Sequence, residues 1–159
     1  MKIVLDADCL IKLTKSGLKE AVCSAWSIAI PRVVETEIVT AGAGRPDAEL
    51  VRENIELNRI AVWDDGAGVD THRRGEDAVL AMFRHGGYAA VASDDARFIR
   101  RLRVLSVPFA VPAVIIVLLH RDGVLTDDAA RAALEELRQH ISPDQYATGV
   151  LMLTGGGEE

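Results

Sequence analysis

The sequence predicts an α/β fold in which a central parallel sheet carries helices on both faces. Short apolar runs alternate with segments whose apolar residues recur every three or four positions, which is typical of strand–helix units. Crossovers between parallel strands are expected to be right-handed. The chain has 159 residues, 49% of them hydrophobic and 26% charged, which indicates a globular protein of ordinary composition. We predict one domain over residues 1–153 and a flexible tail over residues 154–159.

The first half of the chain contains three apolar runs of strand type, each followed by a helical pattern. The predicted strands are residues 2–5, 26–30 and 60–63. The first helix is predicted over residues 8–20, the second begins at Pro31 and the third begins at Pro46, since proline suits a first helical turn. The inward positions of the third helix are predicted to be Leu50, Val51, Ile55 and Leu57.

The second half begins with a segment rich in Gly and Asp, from Asp64 to Gly75, where we predict a mobile loop that shapes a substrate entrance. A helix over residues 76–85, a strand over 88–92 and a helix to about Leu102 follow. A further strand is predicted over residues 103–107. Three helices are then predicted over residues 113–120, 126–140 and 143–153.

Composition excludes several protein classes. No apolar stretch reaches the about 20 residues that a membrane span needs, and we expect a cytoplasmic protein. The two cysteines, Cys9 and Cys23, lack the spacing of a zinc site and are not expected to form a disulfide. The net charge of −6 argues mildly against a protein that coats nucleic acid. Arginines nevertheless cluster near residue 100, so local basic patches are expected.

Acidic residues occupy positions that folding would bring together. Asp6 and Asp94 each end an apolar strand run, and functional groups of parallel sheets gather beyond the carboxyl ends of the strands. Glu37 and Glu76 lie at the margins of apolar helix faces. Four carboxylates about 5 Å apart would repel one another by roughly 10 kcal/mol in total at an effective dielectric near 20. Oxygen ligands without histidine or cysteine select hard cations, so the sequence predicts an Mg²⁺ or Mn²⁺ site.

Four segments in this order resemble the motifs of the PIN-domain family. They are Ile3-Val4-Leu5-Asp6-Ala7-Asp8, Ile30-Pro31-Arg32-Val33-Val34-Glu35-Thr36-Glu37, Gly75-Glu76-Asp77-Ala78 and Val91-Ala92-Ser93-Asp94-Asp95. The region from Val111 to Leu153 is similar to the C-terminal part of one PIN subgroup. The resemblance implies a three-layer fold and a metal-dependent endoribonuclease. The catalytic residues that it implies are Asp6, Glu37, Glu76 and Asp94, and the metal ligands are these four and Asp95.

The resemblance also implies partners. In-line attack of a metal-activated water on an RNA phosphodiester is the implied reaction, with one ion generating the nucleophile and another stabilising the leaving oxygen. Arg97, Arg100 and Arg101 share one helix face and are candidates for binding substrate phosphates, or they pair with nearby acids. Family members include RNA-cleaving toxins of the VapC type. A homodimer and a partner antitoxin are therefore expected.

Two departures from the family pattern leave alternatives open. Asp8 stands where the family usually has Ser, Thr or Asn, and it is either an extra metal ligand or a helix cap. In the third motif, Glu76 and Asp77 compete for the role of ligand. Taken alone, Asp6 at a strand end is also typical of a helix N-cap.

Two other functions fit part of the sequence. A phosphatase of the haloacid-dehalogenase type would explain Asp6-Ala7-Asp8 and the later acidic pair. Resemblance to that phosphatase type implies a lysine in the later half of the chain. No lysine follows Lys19, so the phosphatase is the weaker alternative. A PIN-like module that binds metal, RNA or a partner without cleavage is the second alternative. Loss of metal-dependent RNA cleavage in Asp6→Asn would separate the nuclease from this module.

Overall fold

The computed structural model describes residues 1–64 and 75–155, and its sheet has five parallel strands in the order β3-β2-β1-β4-β5. The strands are β1 (Lys2–Leu5), β2 (Ser27–Pro31), β3 (Ile60–Trp63), β4 (Ala90–Ala92) and β5 (Phe109–Ala110). Helices cover the sheet on both faces, so the predicted three-layer α/β architecture with a parallel sheet is confirmed. Most of the predicted loop between Asp64 and Gly75, and residues 156–159 of the predicted tail, lie outside the described residues.

Nine α-helices are found in the described part of the chain. They are α1 (Ala7–Lys15), α2 (Lys19–Ala25), α3 (Arg32–Glu35), α4 (Pro46–Glu56), α5 (Gly75–His85), α6 (Ala96–Val104), α7 (Pro112–Arg121), α8 (Asp127–Leu137) and α9 (Pro143–Thr154). A π-helical turn (Thr36–Thr40) continues α3, and a 3₁₀ turn (Arg138–His140) continues α8. Among these helices, none is both long enough and apolar enough to cross a membrane.

The centre of the sheet fixes the position of the first acidic residue. Leu5 of β1 pairs with Ala92 of β4 in parallel register, so Asp6 and Ser93 leave the sheet side by side. The Asp6 backbone N–H donates to the Ala92 carbonyl oxygen over 3.0 Å. Both strands are buried over their last residues, from Ile3 to Leu5 and from Val91 to Ala92, as expected for inner strands of a parallel sheet. The two strand ends that the sequence singled out are therefore neighbours.

Two helices near the N-terminus differ from their predicted form. The helix predicted over residues 8–20 is broken into α1 and α2, because Gly17 adopts a left-handed conformation with φ of +71° that ends the first helix. The helix predicted from Pro31 also differs from a regular α-helix. It begins as α3, and its second half is the π-helical turn. Such turns are frequent at functional sites, and this one contains Glu37.

The strand predicted over residues 103–107 is wrong, because α6 continues through Val104. Phe98 and Leu102 are both fully buried at a spacing of four, which keeps the segment helical, whereas Val104 is 84% exposed. The chain then turns at Ser106, whose φ is +54°, and the edge strand β5 forms only at Phe109–Ala110.

The apolar face of α4 is rotated from its predicted position. Ala48, Val51 and Asn54 are buried at spacings of three, while Leu50 and Leu57 are exposed. The prediction is thus correct for Val51 and for Ile55, which is partly buried against the core, and wrong for both leucines. Helices α7, α8 and α9 follow as predicted and pack against one another.

Candidate functional site

A cleft of about 220 Å³ lies where β1, β2 and β4 deliver the chain into the following helices. Its described lining consists of Asp6, Ala7, Asp8, Val34, Glu37, Gly75, Glu76 and Asp95. Five of these side chains are carboxylates, and none of the described lining residues is basic. Acids from four separate segments of the sequence therefore face one common space.

Asp6 lies at the base of the cleft and is only 7% exposed. It is the N-cap of α1, because its Oδ1 accepts a hydrogen bond from the Cys9 backbone N–H over 2.8 Å. Burial raises the pKa of Asp6 to about 7, although hydrogen bonds from Ser93 and Cys9 act in the opposite direction. A carboxylate this far from water needs either a proton or a cation near neutral pH. The helix-cap role and the site role thus coexist in one side chain.

Glu37 and Glu76 face the cleft from the two helical segments on its rim. Glu37 is exposed as a whole residue, yet loss of water around its carboxylate raises its pKa. Gly75 makes room for it, since a Cβ at position 75 would lie 3.0 Å from the Glu37 Oε2 atom. Asp77 instead pairs with Arg101 over 2.7 Å and is not among the residues that line the cleft. The geometry therefore favours Glu76 over Asp77 as the acid of the third motif.

The adjacent residues Asp94 and Asp95 have different surroundings. Both Asp94 carboxylate oxygens are engaged, one by the Lys12 Nζ atom and the other by the Gln145 side-chain amide. The Asp94 side chain is 7% exposed and is not among the described residues that line the cleft. Asp95 does line the cleft, and its Oδ1 caps α6 by accepting from the Phe98 backbone N–H over 2.7 Å. Asp95, not Asp94, is the acid of this pair that faces the other carboxylates.

Asp8 also lines the cleft and lies one helical turn before Lys12, whose Nζ contacts the Asp8 Oδ2 atom over 2.8 Å. The cap of α1 is Asp6, so Asp8 does not serve as its N-cap. No role was predicted from the sequence for Lys12 or Gln145. The spacing of four between Asp8 and Lys12 was a usable signal for an ion pair, whereas no local pattern connects Gln145 with Asp94, 51 residues away.

The candidate arginines line a second groove. This groove has a volume of about 490 Å³ and is formed by Leu80, Arg84, Arg97, Arg100, Arg101, Val104 and Leu105. It runs between α5 and α6, and the same two helices begin at the acidic cleft, at Gly75 and just after Asp95. Arg84 was not among the predicted residues. Its place at the far end of α5 could be found only after the two helices were known to be neighbours.

The cleft has a lining and a volume that bear directly on divalent-cation binding. In the part of the chain that the structure describes, no three or more His, Cys, Asp or Glu side chains lie close enough to hold an ion jointly. The chemistry of the lining nevertheless suits Mg²⁺, which usually keeps several waters and binds proteins through one or two carboxylates. The void between the acids leaves room for such waters. A hydrated ion therefore fits, whereas a dehydrated ion enclosed by four side chains does not.

Comparison with known proteins identifies the family. The model of a PIN-domain family matches residues 2–150 of the chain. Comparisons with curated proteins and with solved structures each found no significant match. PIN domains are generally nucleases that use divalent metal ions, which agrees with an acidic cleft at the carboxyl ends of the strands. The matched segment contains every residue of the cleft, and the chain belongs to the PIN-domain family.

Proposed function

We propose that the protein is an endoribonuclease that hydrolyses RNA phosphodiester bonds with Mg²⁺ or Mn²⁺. The observation that carries this proposal is the convergence of five carboxylates on one cleft around the buried Asp6, with no described basic residue in the lining. Such a cleft repels a phosphate unless a cation intervenes, because like charges at close range repel strongly away from bulk water. The family membership supports the same chemistry at the level of a nuclease.

In this proposal, the ion is held by Asp6, Glu37, Glu76 and Asp95, directly or through its waters. When bound, the ion supplies an activated water for attack on phosphorus and neutralises charge on the departing oxygen. Asp6 anchors this arrangement, since its attachment to β1 and to the Cys9 N–H keeps its carboxylate in place. The sequence also made Asp94 a catalytic and metal-binding candidate, but its two engaged oxygens support a role next to the ligands.

The arginine groove would hold the RNA backbone on one side of the cleft. Arg84, Arg97, Arg100 and Arg101 contribute positive charge, and Leu80, Val104 and Leu105 contribute apolar surface. A guanidinium that contacts phosphate carries affinity but little sequence information. Arg100→Gln should therefore weaken the binding of unrelated RNAs equally and lower the salt dependence of binding by about one counterion. An effect confined to one sequence would contradict this assignment.

The nuclease proposal is tested by RNA digestion with Mn²⁺, Mg²⁺ or a chelator. Wild type is expected to cleave only with metal, and Asp95→Asn is expected to lower the cleavage rate by at least about a hundredfold. Asparagine caps a helix as well as aspartate does, so Asp95→Asn removes the charge and keeps the start of α6 intact. The same logic makes Asp6→Asn a matched second variant.

Two neutral variants serve as controls. Asp128→Asn removes an exposed acid from the first turn of α8, away from the cleft, and should leave cleavage unchanged. Asp77→Asn tests the choice between the two acids of the third motif, and it should affect the rate far less than Glu76→Gln. If wild type and Asp95→Asn both leave RNA intact with Mn²⁺ present, the protein is a binding module, and RNA affinity measured by fluorescence anisotropy becomes the relevant readout.

We further propose that the protein is the toxin of a toxin–antitoxin pair and forms a homodimer. The resemblance of the four acidic motifs to the PIN-domain family, whose members include RNA-cleaving toxins, supports this role. Induced expression should then arrest growth of a bacterial host, and Asp95→Asn should relieve the arrest at equal protein level. Analytical ultracentrifugation should give a mass of two chains. Unimpaired growth with wild-type protein that cleaves RNA in vitro would remove the toxin assignment and leave the nuclease assignment standing.

A further inference from the structure

A lysine lies directly behind the acidic cleft. The Lys12 Nζ atom contacts Oδ2 of Asp8 over 2.8 Å and also contacts Oδ2 of Asp94. Asp8 lines the cleft, so a single carboxylate separates this ammonium from the cleft. Lys12 therefore bridges two carboxylates, Asp8 in the lining of the cleft and Asp94 outside that lining.

The surroundings of Lys12 show that its contact with Asp94 is not a loose surface pair. Its side chain is 19% exposed and that of Asp94 is 7% exposed. Burial alone would lower the pKa of Lys12, but hydrogen bonds and charge attraction from Asp8 and Asp94 outweigh burial and raise the pKa. Buried charges are retained in proteins when they are paired and hydrogen-bonded. Lys12 thus stays charged and neutralises Asp94.

Each carboxylate oxygen of Asp94 already accepts a hydrogen bond, so a metal ion at Asp94 would have to share or displace these contacts. Its second oxygen, Oδ1, accepts from the Gln145 side-chain amide, and the other Gln145 side-chain atom, Oε1, accepts from the Ala113 backbone N–H over 3.2 Å. Gln145 lies in the first turn of α9 and Ala113 in the first turn of α7. Two helices from the C-terminal part of the chain therefore position the Gln145 amide against Asp94.

A second divalent ion at this end of the cleft would compete with the ammonium. To use both Asp8 and Asp94, the ion would have to take the position of Nζ, and beside Nζ it would face repulsion from a cation already bound to the same carboxylates. The remaining acids of the cleft are Asp6, Glu37, Glu76 and Asp95, and no lysine or arginine among the described residues forms an ion pair with them. Within the described part of the chain, these are the acids of the cleft that have no positively charged partner.

We propose that the Lys12 ammonium is the built-in second cation of this site, so that the cleft takes one divalent ion per chain and not two. This inference rests on the proposed function, because it concerns the ion that the nuclease would use. Lys12 acts through Asp8 and Asp94 and is therefore a positioning residue. Its charge replaces the ion that would otherwise be needed beside these two carboxylates.

The test is a count of bound ions in the absence of RNA. Metal-free protein is titrated with Mn²⁺, and free Mn²⁺ is measured by electron paramagnetic resonance. Wild type is expected to bind one ion per chain at saturation. Lys12→Met keeps most of the stem volume and removes the charge, and it is expected to bind two. Lys12→Arg keeps the charge and should remain at one ion.

Lys15→Met is the matched control, since Lys15 is an exposed lysine in the last turn of the same helix, and it should also bind one ion. Two ions in wild type would overturn this inference and leave the metal-dependent nuclease intact, whereas no bound ion would contradict both. One ion in a folded Lys12→Met protein would likewise overturn it. If Lys12→Met does not fold by circular dichroism, Lys12→Gln takes its place, with two ions expected and one ion overturning the inference.

Discussion

Neutralising Asp6 should change how the stability of the metal-free protein depends on pH. The pKa of this carboxyl is about 7 in the folded protein against 3.8 for the ordinary side chain, because burial disfavours the charged form. Between these values the folded state binds more protons than the unfolded state, so the free energy of unfolding falls as pH rises. A difference of about three pH units at about 1.36 kcal/mol each sets an upper bound of about 4 kcal/mol. The loss should be nearly complete above pH 7.

The assay is urea unfolding in the presence of a chelator at pH 5 and pH 8, for wild type and for Asp6→Asn. Asparagine retains an oxygen for the Cys9 N–H, so the cap of α1 survives the change. Wild type should lose about 2.7 kcal/mol more stability than the variant between the two pH values, because two pH units separate pH 5 from the folded pKa of about 7. Asp6→Asn should be the more stable protein at pH 8. Equal pH dependence in the two proteins would refute the reasoning.

Three further predictions concern the cleft and the C-terminal helices. Mn²⁺ at 100 times its dissociation constant should raise the free energy of unfolding at pH 8 by about 2.7 kcal/mol. An unchanged melting temperature at millimolar Mn²⁺ would contradict this prediction. Gly75→Ala should lower RNA cleavage by about tenfold, because its Cβ would push the Glu37 carboxylate aside by a few tenths of an ångström and catalysis is sensitive to such misplacement. A change in stability without a change in activity would contradict this prediction. Gly149→Ala should reduce stability by about 1 kcal/mol in urea unfolding. The new methyl group would lie 3.0 to 3.2 Å from side chains of α8 and α7, and this crowding outweighs the about 1 kcal/mol that alanine gains over glycine inside a helix. Unchanged stability would show that α9 can move.

The sequence predicted the parallel sheet and the place of the site because the relevant signals are local. Apolar runs such as Ile3-Val4-Leu5 identify buried strands, and parallel strands deliver the residues that follow them to one edge of the sheet. Asp6 and the acidic pair after β4 could therefore be placed before any coordinates were known. The exact face of α4 could not, since its apolar residues are too few to decide between Leu50 and Asn54 as the buried position.

The different surroundings of Asp94 and Asp95 could not be predicted from the local sequence. Both residues follow the same strand, and the pattern alone made both of them candidates for metal binding. What separates them is contact with Lys12 and Gln145, which are 82 and 51 residues away in sequence. Long-range partners of this kind depend on how α1 and α9 pack, and no periodicity within the segment records that packing. The strand predicted over residues 103–107 failed for a related reason, since burial of Leu102 against the core extends α6.

The contrast between two buried carboxylates gives the strongest physical reason to expect a cation in the cleft. Asp94 and Asp6 are both largely removed from water, and Asp94 is neutralised by Lys12. Among the described residues, only other acids act on Asp6 through their charge, and they raise its pKa further. A buried acid without a counter-charge is destabilising at neutral pH, and asparagine would fill the same cap without that penalty. An aspartate at position 6 is therefore explained if a cation from solution neutralises Asp6 in the way that the Lys12 ammonium neutralises Asp94.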